Sequence, residues 1–273
     1  MRAGGRDDRR PRASRDVTHV TQSDTTVVPV AGRPLETLDL AGSSAQPPLV
    51  LLHEGLGSVG LWRGLPHELN RVTGRRTIAF SRFGHGRSAP PPRPRTPAFF
   101  HEEALDVLPE LLERLEVREP VLVGHSDGAS ISLIYAAHYP VTALVLLAPH
   151  VFVEDVTVDE IREARERFRS GTLRERMTRH HEDPDAAFWG WCDVWLDPSF
   201  RAWNLEAEAA GVHVPALLIQ GADDPYGSLE QIDRIEARVQ GPAERLVLTG
   251  GHSPHLEHET EVADAIATFL SRL

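Results

Sequence analysis

A serine stands between two glycines at residues 124–128, which read Gly-His-Ser-Asp-Gly. The apolar run 120–123 before it predicts a buried strand, and the run 129–137 after it is typical of a helix. A turn that passes directly from strand to helix admits only small residues two positions before and after its centre, and glycine fills both positions here. Such a turn lifts the central hydroxyl above the sheet, beside the positive end of the next helix. The sequence therefore predicts Ser126 as a nucleophile.

Two later segments supply the partners that a nucleophilic serine needs. The apolar stretch 215–220 is followed by Gly-Ala and then Asp223 and Asp224, and the stretch 246–249 is followed by Gly-Gly and then His252. A serine hydroxyl is a poor nucleophile at neutral pH, so an imidazole must take its proton and a carboxylate must orient that imidazole. We assign the base to His252 and the carboxylate to Asp224. Asp223 is the alternative, because adjacent residues at a strand end point in different directions and only one can face the histidine.

A glycine-rich loop after another predicted core strand completes the candidate site. Residues 53–58 read His-Glu-Gly-Leu-Gly-Ser, and such a loop can bind the negative charge that develops on a carbonyl oxygen. We expect the two oxyanion donors to be the backbone N–H groups of Asp127 and Leu56. Because Glu54 stands where such loops usually carry glycine, the loop donor is fixed only to within one residue. The Asp127 side chain is expected to point away from the site or to pair with an arginine such as Arg82.

Short apolar segments alternate with amphipathic ones along most of the 273 residues, which predicts one α/β domain with a mostly parallel sheet and helices on both faces. We assign residues 25–149 and 212–273 to this core. Residues 150–211 break the alternation and are expected to form a helical cap above the carboxyl ends of the strands, where open sheets bind ligands. Residues 1–24 are expected to be a disordered N-terminal extension. The predicted segments are a hairpin over 25–40, strands at 48–52, 77–80 and 141–148, and helices at 58–72, 99–116 and 258–272.

The expected cap contains four of the five tryptophans of the chain. Large aromatic side chains commonly line pockets for apolar groups, and we expect Trp189, Trp191 and Trp195 to bind the substrate. A small helical unit also needs large side chains for its own core, so roughly half of the tryptophans are expected only to pack.

Composition excludes several function classes. The formal net charge is −11, which argues against a nucleic-acid partner, and none of the 29 basic residues is a lysine, which excludes a phosphate-binding P-loop and lysine Schiff-base chemistry. The apolar runs are too short to span a membrane, so no membrane partner is expected. The single Cys192 cannot form an internal disulfide, and we expect a cytoplasmic protein with a small-molecule substrate. The sequence predicts no oligomeric state.

Two histidine clusters invite a metal or ligand interpretation. His252, His255 and His258 recur every third residue, but His252 already has a catalytic assignment, and the other two are expected on a solvated helix start. The pair at 180–181 is expected on a charged helix face, with an acidic substrate group as the alternative partner. No metal site is predicted.

Taken together, the His-Glu-Gly-Leu-Gly loop, Ser126 in its turn, Asp224 and His252 resemble the α/β-hydrolase superfamily from about residue 25 onward. Within it the chain is similar to small bacterial cap-bearing serine hydrolases, which include carboxylesterases, lactonases and carbon–carbon bond hydrolases of ring-cleavage products. The resemblance implies the α/β-hydrolase fold, a Ser-His-Asp mechanism through an acyl-enzyme, and no cofactor. A carboxylesterase is the favoured function. The alternatives are a carbon–carbon hydrolase, a lactonase, or a non-hydrolytic small-molecule receptor that uses the same pocket.

Overall fold

The computed structural model describes residue 20 and residues 24–273, so the predicted N-terminal extension lies almost entirely outside the described residues. Within them, eight strands form one sheet. The strands are β1 (Thr25–Val30), β2 (Arg33–Leu40), β3 (Leu49–Leu52), β4 (Thr77–Phe80), β5 (Val121–His125), β6 (Ala143–Leu147), β7 (Ala216–Gly221) and β8 (Ala243–Leu248).

The strands lie in the order β1-β2-β4-β3-β5-β6-β7-β8. The predicted hairpin is formed by β1 and β2, and β2 also runs antiparallel to β4. Every other neighbouring pair is parallel. The prediction of a mostly parallel sheet is therefore confirmed.

Helices connect the strands and cover both faces of the sheet. They are α1 (Leu65–Thr73), α2 (Phe99–Glu102), α3 (Leu108–Arg114), α4 (Asp127–His138), α5 (Asp155–Arg169), α6 (Thr172–Met177), α7 (Pro184–Trp195), α8 (Glu206–Ala210), α9 (Glu230–Arg238), α10 (Pro254–Glu257) and α11 (Glu259–Leu270). The helix predicted over 58–72 is divided into a 3₁₀ turn, Val59–Trp62, and α1. Arg63 between them has φ 52°, a left-handed conformation that interrupts a continuous helix.

The central strands β3, β5, β6 and β7 are buried at every residue, as expected when helices cover both sheet faces. Along β5, Val121 and Val123 pack in the same apolar cluster as residues of α1 and α11, whereas Leu122 packs in the cluster on the opposite face with α3 and α4. The edge strands β1 and β8 are half exposed. The interior strands thus form a rigid platform whose carboxyl ends carry the loops of interest.

The turn from β5 to α4 explains the two glycines around Ser126. Ser126 has φ 52° and ψ −117°, a backbone conformation that few non-glycine residues adopt. A Cβ on Gly124 would lie 2.4 Å from the carbonyl oxygen of Gly128, and a Cβ on Gly128 would lie 1.9 Å from that of Leu52. Because both contacts are with backbone, no side chain at either position fits without moving β3 or α4.

Between β6 and β7 the chain forms four helices, which we call the α5–α8 segment. Phe168 of α5 stacks on Phe188 of α7 with ring centroids 3.9 Å apart, and both belong to the apolar cluster on one face of the sheet. A β-bridge between Phe152 and Asn204 pairs the chain just before α5 with the chain just before α8. In the described part of the chain, no helix has the length and apolar character needed to cross a bilayer.

Candidate active site

The loops that follow β3, β5, β7 and β8 meet at the carboxyl ends of the strands. Ser126 comes directly after β5, Asp224 three residues after β7, and His252 four residues after β8. Parallel strands place their carboxyl ends on the same side, so residues far apart in the chain converge there.

The structure brings Ser126, His252 and Asp224 into one hydrogen-bonded chain. The Ser126 Oγ lies 2.9 Å from the His252 Nε2, which can accept its proton. The His252 Nδ1 lies 2.8 Å from Oδ2 and 3.0 Å from Oδ1 of Asp224. The imidazole is therefore held with its Nδ1–H toward the carboxylate and its Nε2 lone pair toward the hydroxyl.

Asp224 is the aspartate of the pair that faces His252, whereas Asp223 is exposed to solvent. The Asp224 carboxylate accepts hydrogen bonds from the Tyr226 backbone N–H and the Gln220 side-chain amide, both at 2.8 Å. Burial alone would raise the pKa of Asp224, but the attraction to His252 and these hydrogen bonds outweigh it and place the pKa below its ordinary value. The carboxylate therefore stays ionised at neutral pH.

His125 and His255 form a buried aromatic support behind His252. The His125 Nε2–H donates to the His252 backbone carbonyl at 2.7 Å, and the His125 ring meets the His255 ring edge-on at 4.7 Å between centroids. His255 also packs on Trp62, and only 3% of it is exposed. The prediction that His255 lies on a solvated helix start is wrong, because the short helix α10 turns this side chain inward. Among the described residues, no group of histidine, cysteine or acidic side chains could hold a metal ion.

Both predicted oxyanion donors border the cavity that contains the Ser126 hydroxyl. Asp127 is the first residue of α4, where a backbone N–H has no partner within the helix. Leu56 lies in the loop after β3, in a turn closed by the Gly57 N–H donating to the Glu54 carbonyl at 3.0 Å. The two residues thus flank the serine from different loops.

The Asp127 side chain is buried and borders the same cavity. Its Oδ2 lies 3.9 Å from the Arg82 Nη2, and its Oδ1 accepts a hydrogen bond from the Trp195 indole at 3.2 Å. The expected neighbour Arg82 is therefore present, but the side chain does not point away from the site. Burial raises the pKa of Asp127, and the nearby Arg82 opposes part of that shift.

The cavity has a volume of about 200 Å³, and the α5–α8 segment provides much of its wall. Its lining outside the proposed triad and donors includes the side chains Glu54, His150, Thr157, Ile161, Trp191, Trp195 and Tyr226. Trp189 is not brought to this cavity. It packs edge-on against Phe168 and Phe188 instead, because residues 191 and 195 share one helical face and residue 189 lies on the opposite side of α7.

Glu54 and His150 also form part of the cavity wall, a role that the sequence did not predict for them. Burial raises the pKa of Glu54 and lowers that of His150 to about 3, so His150 is neutral at pH 7. His150 lies three residues after β6, at the same sheet edge as the other loops. Because His150 follows a predicted strand, the sequence contains a signal that could have placed it near the site.

Comparisons with known proteins agree with this geometry. The family model described as alpha/beta hydrolase fold matches residues 47–213. The human protein named Serine hydrolase BPHL is 28% identical over 207 residues, which cover 71% of this chain and 68% of that protein.

Solved structures give the same result for the fold. A hydrolase from Pseudomonas aeruginosa has a TM-score of 0.73 at 23% identity, with 92% of this chain and 99% of that chain covered. The enol-lactonase from Burkholderia xenovorans has a TM-score of 0.72 at 19% identity, with 90% of this chain and all of that chain (100%) covered. The predicted fold is confirmed, and the chain belongs to the alpha/beta hydrolase fold family.

Proposed function

We propose that this protein is a serine hydrolase that cleaves an ester of a small molecule, a carboxylesterase that acts through Ser126, His252 and Asp224. The observation that carries the proposal is the pair of contacts on the His252 ring, 2.9 Å to the serine hydroxyl and 2.8 Å to the aspartate. The reaction class is supported by relatives that are named serine hydrolases.

The proposed reaction has two steps, acylation of Ser126 and hydrolysis of the acyl-enzyme. The Ser126 Oγ attacks the ester carbonyl as its proton passes to the His252 Nε2, and the Asp224 carboxylate stabilises the resulting imidazolium. The negative carbonyl oxygen is bound by the N–H groups of Asp127 and Leu56. Collapse expels the alcohol, which takes the proton from His252 and leaves an acyl-enzyme. Water then attacks the acyl carbonyl as His252 takes its proton. The bond between the acyl carbon and the Ser126 Oγ breaks, the Oγ regains the proton from His252, and the acid is released.

The charges around the cavity favour neutral or cationic acyl groups. Glu54 and Asp127 border it, and none of its described lining residues is an arginine. An acyl group that carries a carboxylate would be buried beside two acidic side chains and would find no arginine in the described lining to pair with, which is costly. This favours an ester of a neutral or cationic acid over a carboxylate-bearing ring-cleavage product.

Matched p-nitrophenyl esters test the charge preference. With acyl chains of equal length that end in a methyl, an ammonium or a carboxylate group, we expect the carboxylate ester to have a kcat/KM at least about tenfold lower than the other two. Equal kcat/KM values across the series would contradict the preference. Lactones and ring-cleavage products assayed alongside identify which bond is cleaved.

The serine assignment is tested by Ser126→Ala. We expect this variant to lose turnover by roughly a thousandfold or more and to lose labelling by a fluorophosphonate, since both need the activated hydroxyl. Ser132→Ala is the matched control, because Ser132 also lies on α4 but donates to the Gly128 carbonyl. Full turnover by Ser126→Ala would overturn the assignment, and a wild-type protein that neither turns over esters nor reacts with the fluorophosphonate would favour the receptor alternative.

A further inference from the structure

Buried side chains hold four consecutive carbonyl groups of the loop after β3, those of residues 53–56. Arg82 donates to the first carbonyl through Nη1 and to the second through Nη2, the latter at 3.0 Å. His85 donates to the third through Nε2 at 2.9 Å, and His181 donates to the fourth through Nε2 at 2.9 Å. We call Arg82, His85 and His181 the loop cradle.

The hydrogen bonds fix which nitrogen of each cradle histidine carries the proton. The Nδ1 of His181 accepts from the Gly86 backbone N–H at 3.0 Å. The Nδ1 of His85 lies 3.1 Å from the Arg95 guanidinium, which can only donate, and 3.2 Å from the Phe83 carbonyl, which already accepts from Arg95 at 2.8 Å. The proton of each ring is therefore on Nε2, toward the loop carbonyl. Burial lowers the pKa of His181 to about 4 and lowers the pKa of His85 well below its ordinary value, so both rings are neutral near pH 7.

Arg82 also connects this loop to the turn that carries the serine. Its side chain is fully buried, and its counter-charge is Asp127, 3.9 Å away. A buried guanidinium needs a counter-charge and acceptors for its donors, and here the loop carbonyls accept from Nη1 and Nη2, whereas Nε has no hydrogen-bond partner among the described residues. The residue that follows the nucleophile is thus linked electrostatically to the loop opposite it.

Because each peptide group is planar, a hydrogen bond that fixes a carbonyl also fixes the direction of the N–H group that follows it. In a trans peptide the C=O and the following N–H point in opposite directions, and the described residues contain no cis peptide. His85 fixes the Gly55 carbonyl and therefore the direction of the Leu56 N–H. His181 fixes the Leu56 carbonyl and therefore the Gly57 N–H, which closes the turn onto residue 54.

We propose that His85 is a positioning residue that aims the Leu56 N–H at the oxyanion, and that His181, with Arg82, holds the turn that carries this N–H, so that its alignment depends on the docking of the α5–α8 segment. His181 lies between α6 and α7, and it is buried against the loop and not on the charged helix face that the sequence indicates. The inference rests on the proposed function, because the aimed N–H matters only if a carbonyl oxygen becomes charged there.

His181 variants test the link from the α5–α8 segment. We expect His181→Leu to lower kcat about 10- to 100-fold, below the 10²–10³ that loss of a whole donor costs, with KM within about twofold. His181→Gln, which keeps an N–H donor at similar reach, recovers most of that loss. His180→Leu is the matched control, because the His180 side chain lies next to His181 in the chain but makes no hydrogen bond to the described loop residues 53–56. The kcat of this variant is expected to stay within about twofold of wild type.

A trifluoromethyl ketone separates oxyanion binding from general damage to the fold. This inhibitor forms a hemiketal with the serine and presents a negative oxygen, so its inhibition constant is expected to rise in parallel with the fall in kcat/KM. The same comparison is made at His85 with Gln, which places its N–H near the Nε2 position, and with Asn, which does not. Thermal denaturation of each variant reports folding.

The outcomes distinguish this inference from the proposed function. If wild-type protein neither hydrolyses esters nor reacts with a fluorophosphonate, both fail. If wild type is active while His181→Leu keeps its kcat and its ketone affinity, the inference alone is overturned. If a leucine variant does not fold, equal ketone affinities of His85→Gln and His85→Asn overturn it, and a loss confined to Asn supports it.

Discussion

Asp223 and Asp224 are adjacent and chemically identical, so they form a matched pair for testing the proposed mechanism. We expect Asp224→Asn to lower kcat roughly a thousandfold or more, because an amide favours the wrong imidazole tautomer and cannot stabilise the imidazolium. Asp223→Asn, an exposed change, is expected to stay within about twofold. Steady-state kinetics on one p-nitrophenyl ester measure both, and similar losses in the two variants would contradict the role of Asp224.

At this scale the sequence predicts the residues whose position follows from strand ends. Ser126, Asp224 and His252 each come just after an apolar run, and parallel strands bring such positions together. The burial of His181 and His255 could not be predicted in this way, because it depends on tertiary contacts. His255 meets Trp62 and His125, which precede it by more than 100 residues, and no local spacing reports such a contact.

Helix α7 separates its tryptophans by face, which gives a prediction at the scale of the element. We expect Trp191→Ala to lower kcat/KM for an aryl ester about tenfold or more, because it opens the cavity wall. Trp189→Ala is expected to change kcat/KM less than about threefold, although it removes packing on Phe168 and Phe188. Steady-state kinetics on the two variants show which tryptophan contributes to the cavity, and their melting temperatures serve as the folding control. A larger effect at residue 189 would contradict the assignment of faces.

Most elements follow from apolar patterning, and the exceptions have backbone causes. The strand predicted at 77–80 is observed as β4 with the same bounds, and those predicted at 48–52 and 141–148 are observed as the slightly shorter β3 and β6. The helix predicted at 99–116 contains a π-helical turn, Glu103–Val107, between α2 and α3. Side-chain periodicity does not distinguish a π turn from an α turn over so few residues.

For the whole molecule, buried neutral histidines predict acid sensitivity. Burial lowers the pKa of six of them: His53, His85, His125, His150, His181 and His255. Below the unfolded-state pKa of about 6.5, the unfolded chain binds protons that the native state does not, so stability falls as pH falls. Each of these histidines is expected to lower the free energy of unfolding by roughly 2 kcal/mol between pH 7 and pH 5, and urea denaturation measures the net fall.

Buried carboxyls moderate this loss. Burial raises the pKa values of Glu54, Glu103 and Asp127, so these groups take up protons in the native state before the unfolded state does. His255→Phe provides the control, since it keeps an aromatic ring against Trp62 and removes one titrating group. The pH slope of this variant is expected to fall by about one proton. A flat profile in the wild type would contradict the histidine account.

The position of β8 at the sheet edge has a consequence for how the protein matures. Among the described strands, β8 pairs only with β7, and the loop after β8 carries the His252 imidazole. During synthesis the serine-bearing turn emerges more than a hundred residues before that imidazole. In the proposed mechanism, the Ser126 hydroxyl of a nascent chain therefore lacks its base until β8 adds to the sheet, and acyl transfer would begin only after that strand is in place.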